Sequence, residues 1–519
     1  MRAPDADDEE SLIVDPIRTD VVIVGGGPVG MLLAAELGRY GVGVVVLETE
    51  CAVSERPRAT TLHARTVQSL ARRGYLPGPG IAPDGGIVSS EFHFAGLPGL
   101  SITAPAAEPQ PILKRPQADL ERLFEGRARS AGVRVLREHR MTGLDQRSDG
   151  VRIVAEGPQG PVVHEAAYVV GADGARSSVR RQAGMASDAY EATVAAVMGL
   201  VRLDSVGALE AGWHRTPRGW VVAKDAPDGG THIRTVDHTR THADRGLPLT
   251  LDELRRETSR IMGREIGMTR PRWLSRFSDY ARLARGYRSG RVLLAGDAAH
   301  VHFPIGGQGL STGLLDALNL GWKLATTVRG TASKGLLDSY DAERRPAAAR
   351  VIENVRAQVS LMHPEVRLDS LRDLFRDLLA EDRGGARLSA MISAQDTVLP
   401  TCEPNPSAWE GRFLQNIALR TPSGPTNVIK LLRDGRMLLL LFGSDGCGQW
   451  ESATREWGPL LHVVRSQPSA AMPCTALLVR PDGYIAWASD GGDLKTALTG
   501  YLTAGNLSQR GVWLRECPR

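Results

Sequence analysis

Cysteine is scarce in this chain of 519 residues, and the few present stand apart. Cys51, Cys402, Cys447, Cys474 and Cys517 are odd in number and widely scattered, with no C-x-x-C pair or zinc-type spacing. That pattern argues against a disulfide framework and against a structural metal. No apolar run approaches the roughly 20 residues that cross a bilayer, so no membrane segment is expected. Residues 1 to 18 are polar and begin acidic, without a basic region followed by an apolar core. They are expected to form a flexible leader, not a secretion signal. An excess of one charge sign is missing too: 63 basic side chains face 59 acidic ones. No basic cluster alternates with aromatics, which removes nucleic acid from the expected partners. Lysine is nearly absent, 6 against 57 arginines, a bias that favours anion-binding forks without specifying one. Internal repeats and long low-complexity stretches are also lacking. The expectation is a cytoplasmic globular protein, a monomer or homodimer, long enough for two or three domains with substantial cores.

Against this background one stretch stands out. Residues 20 to 48 run from the apolar Val21-Val-Ile-Val24 through Gly25-Gly-Gly27-Pro-Val-Gly30, a helical segment and Gly41 to the apolar Val44–Leu47 and then Glu48. This is the βαβ pattern of a dinucleotide site. Gly25 permits the tight turn out of the strand, Gly27 lets backbone approach a pyrophosphate, and Gly30 lets helix and strand pack closely. The helix presents unpaired N–H groups to the phosphates. Glu48 is placed to accept hydrogen bonds from a ribose diol. Taken alone the unit would serve an NAD dehydrogenase equally well.

Downstream, an Arg-rich segment (Arg56, Arg58, Arg65) leads into a helix through Val67, Leu70 and Ala71 that Gly74 ends. Residues 75 to 112, rich in Gly and Pro, are expected to be loops with short strands. Gln117 to Ala131 has helical spacing, Val133 to Leu136 begins a strand, and 150 to 170 alternate in strand fashion. Residues 190 to 280 change texture, with short apolar or alternating runs broken by Gly, Asp and Pro. They read as a mostly antiparallel sheet inserted between two halves of the nucleotide domain. A strand returns at Arg291–Ala295, a glycine-rich loop and a helix through Leu314, Leu318, Trp322 and Ala325 follow, and a long helix covers Leu337 to about Met362. A Pro-rich joint near 400 to 407 separates a compact α/β pattern with strands at Met437–Phe442, Thr475–Val479 and Tyr484–Ala488. The expected division is residues 19–190 and 276–395 as a discontinuous nucleotide domain, 191–275 as a substrate-binding sheet domain, and 400–519 as a C-terminal domain.

Two further motifs end strands on an aspartate. In Gly171-Ala-Asp173-Gly174-x-x-Ser177-x-x-Arg180 a strand delivers Asp173 at a turn. In Gly296-Asp297-Ala-Ala-His300, Asp297 can hydrogen-bond a polyol hydroxyl. Pro304-Ile-Gly306-Gly307-Gln308-Gly309-Leu310-Ser311 then opens a helix whose backbone N–H groups can face a partial negative charge. Either aspartate motif could instead be a turn with a helix cap. All three motifs in this order are more specific.

In these residues the chain resembles the FAD-dependent single-component aromatic hydroxylases, the group A flavoprotein monooxygenases. The resemblance extends through Gly313–Leu324 and Ser339–Pro346, and so covers most of residues 20 to 360. The tail from about 408 resembles the thioredoxin-like C-terminal domain of the subgroup acting on polyketide and rifamycin-like aromatics. Without a C-x-x-C pair that domain is expected to be structural or to act in assembly. The implied fold is α/β, a Rossmann-like FAD-binding domain with an inserted antiparallel sheet domain and the thioredoxin-like unit. The implied chemistry is a reduced FAD that reacts with O2 to give a C4a-hydroperoxide, which hydroxylates an electron-rich, polyketide-derived polycyclic ring, with NADPH (or NADH) as transient co-substrate.

The resemblance also assigns residues. It puts Gly25, Gly27 and Gly30 on the pyrophosphate, Glu48 on the adenosine ribose, and Arg65 and Gln117 on the ribityl–pyrophosphate region. Arg58 falls near the flavin, the Met141 backbone beside the adenosine, and Asp297 on the ribityl chain. The backbone of 306–311, including Gly309, Leu310 and Ser311, is assigned to the N1–C2=O2 edge of the flavin, in a supporting loop with Pro304, Gly306, Gly307 and Gln308. Asp173 and Arg180 are assigned to both FAD and the passing nicotinamide. Ser311 departs from the subgroup, which carries Asn there.

No side chain is named as a general base. His63, His214 and His302 read as structural or surface histidines, and His300 with His302 lacks a third ligand for a metal. Trp213, Trp220 and Phe303 fit a substrate pocket or ordinary core packing. No second full dinucleotide fingerprint exists, which argues against a two-dinucleotide disulfide reductase. The alternatives are oxygen insertion beside a ketone or inactivation of an aromatic antibiotic on the same fold. From another class come a non-oxygenating flavin-binding dehydrogenase and a structural partner in a biosynthetic complex.

Overall fold

A computed structural model describes residues 16–503, apart from 57, 79–86, 206, 227–228, 242–246, 402–405, 444–446, 470–471 and 473. Most of the expected leader, part of the Pro-rich joint, Cys402 and Cys517 therefore lie outside the described residues. The principal elements run β1 (Ile17–Val24), α1 (Pro28–Arg39), β2 (Val44–Leu47), α2 (Gln117–Ser130), β3 (Arg134–Leu136) and β4 (Gly160–Gly171). Next come β5 (Ala195–Leu203), β6 (Gly212–Thr216), β7 (Gly219–Asp225), β8 (Thr231–Asp237), α3 (Leu251–Met262) and β9 (Met268–Ser278). The chain returns through β10 (Val292–Leu294) to α4 (Gly309–Val328) and α5 (Ser339–Leu361), and then forms β11 (Met437–Phe442), β12 (Leu461–Ser466), β13 (Ala476–Val479) and β14 (Ile485–Ala488).

Strands β10, β4, β1, β2 and β3 lie side by side in that order, all parallel. Val21, Val22 and Ile23 have no exposed surface, as continuous apolar strands require when both sheet faces are covered. The register brings Val24 level with Gly171 and Leu47, and Gly171 level with Leu294. Three adjacent strands thus finish on one line, and each of the three motifs begins where its strand ends. Ladder bonds continue past the ends, with the Ala172 N–H donating to Val24 and the Ala295 N–H to Gly171. This edge, outside the carboxyl ends of parallel strands, is where open α/β sheets bind ligands.

Helix α1 is buried nearly all round, and each of Met31, Leu32 and Leu33 contributes roughly 1.5–3 kcal/mol by leaving water. Helix α4 lies directly on it through two glycines. A Cβ at Gly313 would stand 2.7 Å from Val29 Cγ2, and one at Gly321 would stand 2.9 Å from Glu36 Cβ.

The inserted unit is a five-stranded antiparallel sheet in the order β6-β7-β8-β5-β9, and its last strand runs to Ser278, beyond residue 275. One face packs under α3 through Val197, Val221, Ile233, Leu254 and Ile261. That helix was not expected, although its signals are present. Thr250 accepts from the Glu253 N–H, and Gly263 ends the helix at φ 72.

Residues 75–112 also differ from the expectation. They contain a hairpin of Ile87–Phe94 and Leu97–Pro105, strands of 8 and 9 residues. Its turn, Ala95-Gly96 at φ 52 and 79, lacks the Asn-Gly pair that flags such hairpins, and a two-stranded edge tolerates the prolines that suggested loops.

Candidate active site

At the end of β1, Gly25 adopts φ +109, and a Cβ there would lie 2.3 Å from the Ala172 carbonyl oxygen. A Cβ on Gly30 would lie 2.0 Å from the Gly25 oxygen, whereas Gly27 meets nothing within 4 Å. The first and last glycines are sterically required by the fold. The middle one borders open space at the start of α1, whose first turn has Pro28 and no side-chain cap. Its N–H groups remain for an anion. Glu48 closes the turn: Oε2 accepts from the Gly26 N–H at 2.5 Å, and Oε1 from the Glu50 N–H at 2.8 Å.

Gln117 begins α2 with its N–H donating to Ala59 O, and its side-chain amide has no partner among the described residues. Met141 is buried. Arg58 is exposed and, with Glu48, acts electrostatically on buried Glu121. Arg58 therefore stands on the Glu48 side of the sheet edge. Arg65 is committed elsewhere. Its guanidinium donates to the carbonyls of Ala394 and Gln395 and lies 3.7 Å from the centre of the Phe413 ring. The fold brings Arg58, not Arg65, toward Glu48.

Burial pushes the Glu121 carboxyl up to about 7, with Arg137 opposing and Glu48 adding to the rise. The folded state holds this proton more tightly than the unfolded chain, so stability falls as pH climbs from the ordinary carboxylate range to about 7. Glu121→Gln removes that loss. The variant is expected to melt above the wild type at about pH 8 and level with it at about pH 5. Equal melting temperatures at both would refute it.

The second motif is held from within. Asp173 Oδ2 accepts from the N–H groups of Ser178 (2.6 Å) and Val179 (3.1 Å), and Ser177 accepts from the Arg180 N–H. Asp173 Oδ1 is buried without a hydrogen-bond partner. Arg180 is buried, and its Nη1 donates to Ala298 O at 2.8 Å. It ties the second motif to the third.

In the third motif Asp297 is exposed on a single 3-10 turn, Gly296–Ala298. The turn is fixed from behind by Asp316, which the sequence reading missed. Asp316 Oδ2 accepts from the Gly296 N–H (3.1 Å) and from His300 Nε2 (2.7 Å), and Oδ1 from Arg344 Nε (2.8 Å). Burial opposes its ionisation, but Arg344 and His300 hold the carboxyl below its ordinary range. No local signal marks it: its neighbours one turn away on α4 are Thr312, Gly313, Asn319 and Leu320, a mixed face rather than a lone charge among apolar residues.

The loop to α4 turns through Gly306 and Gly307 at φ 73 and 62. Pro304 is exposed, Gly309 and Leu310 are half-buried, and no side chain caps α4. Gln308 points inward: Nε2 donates to Ile392 O, and Oε1 accepts from Asn354. His63 fixes the loop through Nε2–H to Gly306 O at 2.8 Å, and its own N–H donates to Ser311 Oγ at 3.0 Å. Burial lowers its pKa to about 4, so the ring is neutral and structural. His302 bonds the Phe303 carbonyl through Nδ1, leaving Nε2 unpartnered 3.5 Å from where a Cβ on Gly309 would be. His214 bonds Glu210 O, away from the loop. Trp213, Trp220 and Phe303 do share one cluster, with Phe277 and Ile305. Phe277 and Phe303 stack at 5.4 Å, and Trp220 Nε1 donates to Met362 O. Among the described residues no three His, Cys, Asp or Glu side chains are grouped to hold a metal, and no helix is long and apolar enough to cross a membrane.

A phosphate-ready helix start, a diol acceptor and a second uncapped helix start beyond an exposed aspartate form the frame of a flavoprotein with an extended dinucleotide. The comparisons agree. The FAD binding domain family model matches residues 18–355, and the aromatic-ring hydroxylase C-terminal model matches 407–504. The chain belongs to the FAD-dependent aromatic-ring hydroxylases, a monooxygenase family. It is 37% identical over 488 residues to the 12-dehydrotetracycline 5-monooxygenase/anhydrotetracycline 6-monooxygenase of Streptomyces rimosus, covering 91% of this chain and 96% of that one. It is 38% identical over 484 residues to the dialkyldecalin synthase of Streptomyces rugosporus, covering 92% and 97%. The solved anhydrotetracycline hydroxylase from Streptomyces rimosus superposes with a TM-score of 0.82 at 35% identity, covering 93% of this chain and 99% of that one.

Proposed function

We propose that this protein is an NADPH-dependent hydroxylase of a polycyclic, polyketide-derived aromatic. The observation that carries the reading is the alignment of three motifs on one sheet edge, ending at an uncapped helix beneath an aromatic cluster. Gly27 and the start of α1 would take the pyrophosphate, with Arg58 and Gln117 beside it, and Glu48 the adenosine ribose. The unpartnered Oδ1 of Asp173 and the free carboxylate of Asp297 offer acceptors for cofactor hydroxyls. FAD held there would supply, once reduced, the activation of O2 and the transfer of one oxygen atom to the ring. The chain's part is to place backbone N–H groups of 309–311 where negative charge gathers on the flavin edge, and to keep water out with Phe303, Phe277 and Trp220.

The C-terminal unit follows a βαβ pair with a β-hairpin and a helix, β12-β11-β13-β14 in sheet order, which supports the thioredoxin-like reading. With no C-x-x-C pair in the sequence its role here is structural or in assembly.

The test is NADPH oxidation by the holoenzyme with and without a panel of aromatic polyketides. Consumption stimulated by a subset of them is expected, with NADH slower. The synthase among the relatives gives the competing outcome: turnover of a substrate with no NADPH consumed would overturn the reading.

A further inference from the structure

Arg234 lies mid-strand on β8, level with Met198 of β5 and Val222 of β7. Along the same face Val236 is buried with Ala196, Trp220 and Phe303. On the opposite face Ile233 packs under α3. Strand alternation therefore aims Arg234 to the side of the sheet that meets the cofactor loop, where Trp213 is paired across from Val222 and Phe277 from Ala196.

Three facts about this side chain belong together. It is exposed to solvent-sized space. Burial nevertheless lowers its pKa below the ordinary value, and no charged group acts in either direction. No hydrogen bond or ion pair reaches it among the described residues. An arginine on open surface would be fully hydrated, and a structural one would be paired, as Arg215 is to Asp369, Arg260 to Asp237 and Arg276 to Glu253 in the same unit. An accessible cation with no partner among the described residues, beside Trp213 and Phe277, can take a counter-anion at that face.

We propose that Arg234 is a specificity residue that docks a planar two-oxygen anion of the substrate, a carboxylate or a 1,3-dicarbonyl enolate, against the aromatic wall. This rests on the hydroxylase reading above and narrows its substrates to acidic polycyclic aromatics. The guanidinium fork matches both anions with two parallel N–H···O bonds.

The test measures binding of 2-naphthoate, neutral 2-naphthamide and the enolate of 2-acetyl-1,3-indanedione to the FAD-loaded enzyme. Wild type is expected to bind naphthoate or the enolate about tenfold or more tightly than the amide, and the stronger of the two identifies the anion class. Arg234→Met should erase the preference while amide affinity and FAD content stay unchanged, and Arg234→Lys should keep part of it. Equal binding of all three probes by wild type overturns the proposal without any variant. So does a preference that survives in Arg234→Met. Neither result touches the hydroxylase reading, which fails only if no oxygen enters the product.

Discussion

Arg480→Met is expected to destabilise the protein by about 3–5 kcal/mol, the range for removing one partner from a buried ion-pair network. Arg480 belongs to the C-terminal unit yet is buried against α5. Its Nη1 and Nη2 donate to the two oxygens of Glu343 at 2.8 and 2.7 Å, and its Nε and Nη2 reach Asp482 at 3.0 and 2.6 Å. Lys323 of α4 pairs with the same Glu343 at 2.8 Å, and Asn319 and Trp322 donate to Asp482. Two cations and two carboxylates balance inside the protein, each taken out of water. Without Arg480 one negative charge stays buried and uncompensated. The same helices carry the candidate flavin loop and Asp316, so the loss is expected to appear as a lower denaturation midpoint together with weaker FAD retention. Urea titration followed by tryptophan fluorescence checks it, and an unchanged midpoint would refute the structural role given to this network.

Asp297→Ala is expected to weaken FAD retention about 10- to 100-fold, the equivalent of one hydrogen bond to a charged acceptor. The carboxylate is exposed and bonded to nothing among the described residues, while its turn is held independently through the Gly296 N–H on Asp316. Removing it should therefore delete a ligand contact and leave the turn in place. Asp297→Asn, which keeps one acceptor oxygen, should fall between. Protein purified fully yellow with unchanged FAD affinity would contradict the placement.

The nucleotide half of the fold was legible because its signals are local. Glycines needed at a tight turn, apolar strands covered on both faces and an acid at a strand end all show within thirty residues. Asp316 and His63 were not legible in the same way. Their partners, Gly296 and Arg344 for one and Gly306 and Ser311 for the other, are distant in sequence, and nothing local distinguishes them from core residues. The contacts of Arg65 were hidden for the related reason that its motif is local while its partners, Gln395 and Phe413, come from the far end of the chain. The inserted sheet was recognised by texture. Which face of it met the cofactor loop, and so the position of Arg234, followed only from strand register.

The central claim is that this chain places one atom of O2 on an aromatic ring. The direct measurement is the product's mass after turnover with NADPH under isotopically heavy O2 in ordinary water. One heavy oxygen retained as a ring hydroxyl is the predicted result. A product whose added oxygen comes from water, or one formed with no added oxygen, would contradict the account.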